Sequence, residues 1–151
     1  MNVRDSIQAL IRPRQVAYAH CDIPCGIYDP TDAETAAETV EKMMTLMGGL
    51  AMPAAGAAAA DWLAYQNSMT RYIATKEKHA EEVKHQVRII WGDFFKAPDL
   101  KVVPDLHEKV WAIMQTASRC RVGAKLDDAK QLRAQTAEFR ELFQKAKAAR
   151  A

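Results

Sequence analysis

The chain has 151 residues, of which 49% are hydrophobic and 26% charged, a composition typical of one globular domain and not of a disordered chain. The formal net charge of +2 is too small to indicate a nucleic-acid-binding protein, and no apolar run reaches membrane-spanning length. Abundant alanine and few aromatic residues favour helix over strand.

Residues 1–19 carry apolar side chains at helical spacing and three arginines, which predicts a short amphipathic helix that ends at Pro13. The tripeptide Ala17-Tyr18-Ala19 is like the cleavage site of a secretory signal. However, Gln8 and Arg12 interrupt the apolar core that such a signal requires. The residues also allow a third interpretation, in which this segment is a first helix that stays attached.

Residues 20–30 read HCDIPCGIYDP and bring together an imidazole, two thiols, carboxylates and a phenol. Two prolines and a glycine prevent regular helix or strand. The chain has three cysteines, an odd number, and two of them lie here. This indicates a metal or redox site in a reducing compartment, so we expect a cytoplasmic protein. The spacing alone leaves open a zinc site, a redox metal, or a thiol switch through Cys21 and Cys25.

Two helices are predicted next. Asp29-Pro30 is a helix start, and Gly48-Gly49 ends that helix. Its inward positions recur every three or four residues: Ala33, Ala36, Ala37, Val40, Met43, Met44 and Met47. After a low-complexity connection, a long second helix has an apolar stripe predicted from Trp62 to Phe94. Its other face is charged and expected to be solvated: Lys76, Glu77, Lys78, Glu81, Glu82 and Lys84.

Two further helices complete the predicted fold. Pro104-Asp105 opens the third, which ends at Gly123, and residues 126–128 open the fourth with acids that suit its N-terminal dipole. Cys120 is expected to pack in the core. Four helices with short or moderate connections predict an all-α fold, an antiparallel up-down four-helix bundle preceded by the segment at residues 20–30.

The run at residues 20–30 resembles the nickel hook of the nickel-containing superoxide dismutases over its whole length. Residues 91–96 and 104–107 resemble that family more loosely, so the resemblance covers the chain from residue 20 onward. It implies an oxidoreductase that disproportionates superoxide to dioxygen and hydrogen peroxide at one nickel ion, cycling between Ni(II) and Ni(III). It also implies a homohexamer of helical bundles.

The resemblance further implies that residues 1–19 are a leader, removed by a maturation peptidase between Ala19 and His20. The domain at residues 20–151 would then begin with a free amine. That amine, the Cys21 amide nitrogen and the sulfurs of Cys21 and Cys25 would be the metal ligands, with the His20 imidazole as a fifth. Two nitrogens and two sulfurs in a plane suit Ni(II) or Cu(II).

Two other residues of the hook have roles that the resemblance implies. Tyr28 corresponds to a tyrosine above the open face of the metal, where its phenol excludes larger anions and holds superoxide or peroxide. Asp22 is expected to shape the loop or its proton supply. Both are therefore candidate catalytic residues.

The chain departs from the family pattern at three positions. Ala36 and His79 stand where the resemblance leads us to expect a Glu and an Arg that support the axial imidazole, and Phe94 replaces an expected second tyrosine. His79 is either a partial substitute or an exposed helical histidine. The alternative function is a helical-bundle metal carrier, which would retain residues 1–19, or a thiol redox switch, and either would use Cys21 and Cys25.

Overall fold

A computed structural model describes residues 27–150. The described part contains four α-helices and no strand: α1 (Thr31–Gly49), α2 (Ala59–Ile89), α3 (Leu106–Val122) and α4 (Leu126–Ala148). A π-helical segment (Ile90–Phe94) and a 3-10 turn (Ala97–Lys101) connect α2 to α3. The prediction of an all-α four-helix bundle is confirmed. Among the described residues, no helix combines the length and apolarity needed to cross a membrane.

Ion pairs between neighbouring helices show that they run antiparallel. Arg140 of α4 pairs with Glu34 near the start of α1, whereas Arg133, two turns earlier in α4, pairs with Glu41 farther along α1. The α3–α4 pair follows the same rule, since Lys109 meets Glu138 while Arg119 meets Asp128. Helices α2 and α3 are likewise in contact, and α1 packs on both α2 and α4.

The core lies between the four helices and follows the predicted apolar positions. Small residues of α1, including Ala36 and Ala37, are fully buried and let the neighbouring helices approach closely. The predicted Met43 and Met47 are only partly buried. Larger side chains from the other helices fill the centre, among them Val83, Val87, Leu106, Ile113, Leu132 and Phe139. Burial of such side chains contributes about 1.5–3 kcal/mol each.

Helix α2 differs from its predicted pattern in two respects. No residue before Lys76 is buried in α2, so the apolar side chains of its first half remain partly or largely exposed, with Leu63 at 68% and Ile73 at 37%. In contrast, Lys76 was expected on the solvated face and is only 3% exposed. Its ammonium group donates to the carbonyl oxygens of Arg121 and Gly123, which end α3 without intrahelical partners.

The end of α2 also differs from prediction, because the α-helix stops at Ile89 and continues as the π-helical segment. The backbone N–H of Phe95 donates to the carbonyl of Ile90, a five-residue span. This wider turn brings Phe94 and Phe95 toward α4, where they meet Phe143 and Phe139 respectively. Short π-helical insertions of this kind are frequent at functional sites.

Candidate metal centre

Tyr28 is the one predicted site residue that lies within residues 27–150, and it sits just before α1. It is half-buried, and its ring contacts that of Phe94 edge-on, with centroids 6.0 Å apart. Two residues later, Pro30 is the N-cap of α1, one position later than the sequence predicts for Asp29. Tyr28 is therefore tied to the start of α1 on one side and to the π-helical segment on the other.

Asp29 holds this turn in place. Its carboxylate accepts hydrogen bonds from the hydroxyl and, at 2.7 Å, from the backbone N–H of Thr31, and it lies 3.5 Å from the guanidinium of Arg140. The Thr31 bonds are the main cause of a lowered pKa for Asp29, and the charge of Arg140 adds to it. The backbone next to Tyr28 is thus fixed by a carboxylate that stays ionised.

A cavity of about 210 Å³ opens beside Tyr28 and is lined mainly by aromatic and basic residues. The aromatic residues are Tyr28, Phe94 and Phe143, and the centroids of the two phenylalanine rings are 4.4 Å apart. Asp93 is the acidic residue in the wall, and the basic residues outnumber it: Lys96, Lys147 and Arg150. Such a wall favours small anions over cations.

Arg150 lines this cavity and contacts two other residues of its surroundings, Phe94 and Asp99. Its guanidinium carbon lies 4.2 Å from the centre of the Phe94 ring, and Nη2 donates to the Phe94 carbonyl at 2.9 Å. Nε donates to the carboxylate of Asp99 at 2.9 Å, and Nη2 also contacts that carboxylate. Asp99 is buried and additionally accepts from the backbone N–H of Lys96 at 2.6 Å. The hydrogen bond from Arg150 lowers the pKa of Asp99 and raises that of Arg150.

The remaining predicted site residues, His20, Cys21, Asp22 and Cys25, lie outside the described residues, as do residues 1–19. Within residues 27–150, no group of three or more His, Cys, Asp or Glu side chains is placed to hold a metal ion. Cys120 is fully buried, and desolvation raises its pKa to about 11, so its thiol stays protonated near neutral pH and packs in the core.

All three positions that depart from the family pattern are within the described residues. Ala36 is buried in α1 and has no polar group to offer. His79 is half-buried in α2, and its Nδ1 lies 2.8 Å from the carbonyl oxygen of Thr75. Because a carbonyl oxygen only accepts hydrogen bonds, Nδ1 of His79 is the donor in this contact. Phe94, which replaces the expected tyrosine, lies against Tyr28.

Comparison with known proteins decides the family. The profile of nickel-containing superoxide dismutase matches residues 15–147. The chain belongs to the nickel-containing superoxide dismutase family. The nickel superoxide dismutase of Streptomyces coelicolor is 36% identical over 104 residues, covering 69% of this chain and 70% of that protein, and the Streptomyces seoulensis enzyme gives the same values.

Solved structures of nickel superoxide dismutase agree with the fold. The native structure superposes with a TM-score of 0.71 at 29% identity, covering 85% of this chain and 99% of the other. The apo structure gives a TM-score of 0.69 at 27% identity and covers 82% and 99%. As a member of this family, the protein is an oxidoreductase that dismutates superoxide and uses nickel as its cofactor.

The donor atoms of the chain fit that cofactor. Imidazole nitrogen suits nickel, and thiolate sulfur is a strong donor to soft metals. Residues 20–25 contain both within a short segment.

The sequence did not point to the Arg150 contacts, because Asp99 is 51 positions away and a basic residue at a helix end has an ordinary dipole explanation.

Proposed function

We propose that the nickel ion is bound by His20, Cys21 and Cys25, after a peptidase cleaves the chain between Ala19 and His20. The observation that carries this proposal is the contiguous HCDIPCGIYDP run, which lies inside the segment matched by the family profile. Cleavage supplies a terminal amine beside the imidazole and the Cys21 thiol. When bound, nickel supplies a one-electron couple, because anionic sulfur and nitrogen donors stabilise its oxidised form.

The protein's own residues then have separate tasks. His20, Cys21 and Cys25 hold the ion, and Asp22 orients the loop or supplies protons. Tyr28 screens the approach of anions. Its half-buried position between the start of α1 and the π-helical segment supports this role, as does the excess of basic residues in the adjoining cavity. A phenol held in this way donates a hydrogen bond to a small anion at little entropic cost.

We also propose that the enzyme assembles as a homohexamer in the cytoplasm. Support comes from apolar side chains that a single bundle leaves exposed. Leu63 and Ile73 on the first half of α2, Trp111 at 66% on α3, and Val122 at 93% are the main examples. Contacts with other copies of the chain would bury these side chains. Light scattering of the trimmed protein tests the assembly, and a monomer at micromolar concentration would contradict it.

One experiment tests the proposed site as a whole. The protein is purified from nickel-supplemented cells of its native host, its intact mass is measured, and its metals are quantified. We expect a chain that begins at His20 and carries one nickel ion. A working enzyme that begins at Met1 would refute the proposed ligand set, because no free amine would exist at His20.

A further inference from the structure

The structure gives Arg150 more contacts than a surface arginine at a helix end needs. Its planar guanidinium stacks on the Phe94 ring while its N–H groups reach the Phe94 carbonyl and the Asp99 carboxylate. Only arginine combines a flat face for stacking with donors in a fixed fork. Arg150 therefore fixes the backbone and the ring of Phe94 together.

The partner of Arg150 is itself well anchored. Asp99 is 5% exposed, and by accepting the Lys96 N–H it caps the 3-10 turn that follows the π-helical segment. A buried carboxylate that lost Arg150 would keep that backbone donor but lose the cation that compensates its charge. The connection between α2 and α3 would then loosen where it carries Phe94.

Phe94 transmits this restraint to Tyr28. Its ring meets Tyr28 edge-on at 6.0 Å and Phe143 at 4.4 Å, so it lies between Tyr28 and α4. Because the residue is a phenylalanine, it has no hydroxyl of its own to fix its orientation. Stacking under Arg150 and packing on Phe143 hold it in place.

We propose that Arg150 is a positioning residue of the dismutase, which holds Phe94 against Tyr28 and so sets the position of the Tyr28 phenol. This inference rests on the proposed role of Tyr28 in screening anions. It assigns to Arg150 a geometric task, and the alternative is that its positive charge simply attracts superoxide.

Three variants separate these possibilities. Arg150→Ala removes both the charge and the contacts, and Arg150→Lys keeps the charge but not the planar fork. Lys145→Ala removes one charge from an exposed position near the same end of α4, where the lysine side chain makes no ion pair or hydrogen bond with the described residues. If Arg150 acts by positioning Phe94, Arg150→Lys should resemble Arg150→Ala in hydrogen exchange and in anion selectivity. Lys145→Ala should resemble the parent enzyme in both.

The first readout is hydrogen exchange, measured on the trimmed nickel enzyme and on the full-length nickel-free chain. In both Arg150 variants, we expect the amides of residues 90–99 to exchange at least about tenfold faster, since a charge-assisted restraint is lost. Protection elsewhere in the bundle should be unchanged. Parent-like exchange in this segment would overturn the inference.

The second readout is anion selectivity, taken as the ratio of inhibition by azide to inhibition by the bulkier perchlorate. Arg150→Ala should shift this ratio in the same direction as Tyr28→Phe, and the double variant should shift it no further, because coupled residues are not additive. Additive shifts in the double variant would overturn the positioning role. So would an Arg150→Lys enzyme whose inhibition ratio equals that of the parent. An unchanged Tyr28→Phe enzyme would overturn both the screening role and this inference, whereas an unchanged Arg150→Ala enzyme would overturn only the latter.

Discussion

The ammonium group of Lys76 lies 2.7 Å from the carbonyl oxygen of Gly123 and 2.8 Å from that of Arg121. A buried lysine thus replaces the missing intrahelical donors at the end of α3 and joins that end to the middle of α2. Three N–H donors on one rotatable group suit this task, since two carbonyls can be served at once. This contact fixes how the two helices are aligned along their length.

Replacing Lys76 by methionine is expected to destabilise the bundle by about 1–3 kcal/mol, because two part-buried carbonyls at the end of α3 lose their donor. Methionine keeps most of the side-chain volume, so cavity formation contributes little. Lys78→Met is the matched control on the exposed face of the same helix. Urea unfolding of the nickel-free chain measures both changes. Equal stability of the two variants would contradict a special role for Lys76.

Acid sensitivity should depend on Asp99. Its folded-state pKa is lowered below the ordinary value of 3.8, chiefly by Arg150. A carboxylate with a lowered pKa contributes stability that is fully present above its unfolded pKa and is lost as the pH falls through the folded value. As the pH falls below about 4, we therefore expect the free energy of unfolding of Asp99→Asn to decrease less steeply than that of the parent chain.

The control for this measurement is Glu141→Gln, which makes the same charge change on the exposed face of α4. The nickel-free chain is used for both variants, so that proton competition for metal ligands does not contribute. If the acid slope of Asp99→Asn matches that of the parent and of Glu141→Gln, the carboxylate does not carry the acid sensitivity.

Much of the fold was predictable because its signals are local. The proline after Asp29, the glycines at 48–49 and 123, and the spacing of apolar residues in α1 and α4 each act within one or two helical turns. They place the four helices to within a few residues. The family was predictable from residues 20–30 because that run has unusual chemistry in a fixed order.

The parts that escaped prediction depend on distant partners. In the sequence, Lys76 is one of several charged residues in a row. Only its hydrogen bond to the end of α3, 47 positions away, explains its burial. The π-helical segment allows two adjacent phenylalanines to pack on α4, an arrangement that a regular period of 3.6 residues does not encode. The exposure of the first half of α2 likewise depends on what that helix packs against and not on its own periodicity.

Serine at position 21 or 25 should abolish nickel binding and superoxide turnover, because a hydroxyl group remains protonated and is a poor ligand for this metal. Cys120→Ala is the internal control, since that buried thiol has a raised pKa and lies in the core. Nickel content per chain and superoxide decay are measured on trimmed samples. Turnover in Cys21→Ser or Cys25→Ser, or nickel loss in Cys120→Ala alone, would contradict the assigned ligands.

His20→Gln should retain nickel but slow the cycle, because the imidazole is proposed as an additional ligand while the amine and the two sulfurs remain. The sample is trimmed and checked by intact mass, so that failed processing is not mistaken for a catalytic defect. His85→Gln changes an exposed histidine of α2 and serves as the control. An unchanged rate per nickel in His20→Gln would remove the imidazole from the mechanism.

Tyr28→Phe should leave the fold and the nickel content intact, because the aromatic ring that packs on Phe94 is kept. Loss of the hydroxyl is expected to change saturation by superoxide and to admit bulkier anions, with a smaller effect on nickel binding. Tyr65→Phe is the matched control: Tyr65 is half-buried and packs edge-on against Trp62 in the first half of α2. If bulky anions inhibit Tyr28→Phe no more strongly than they inhibit Tyr65→Phe, the phenol does not screen the site.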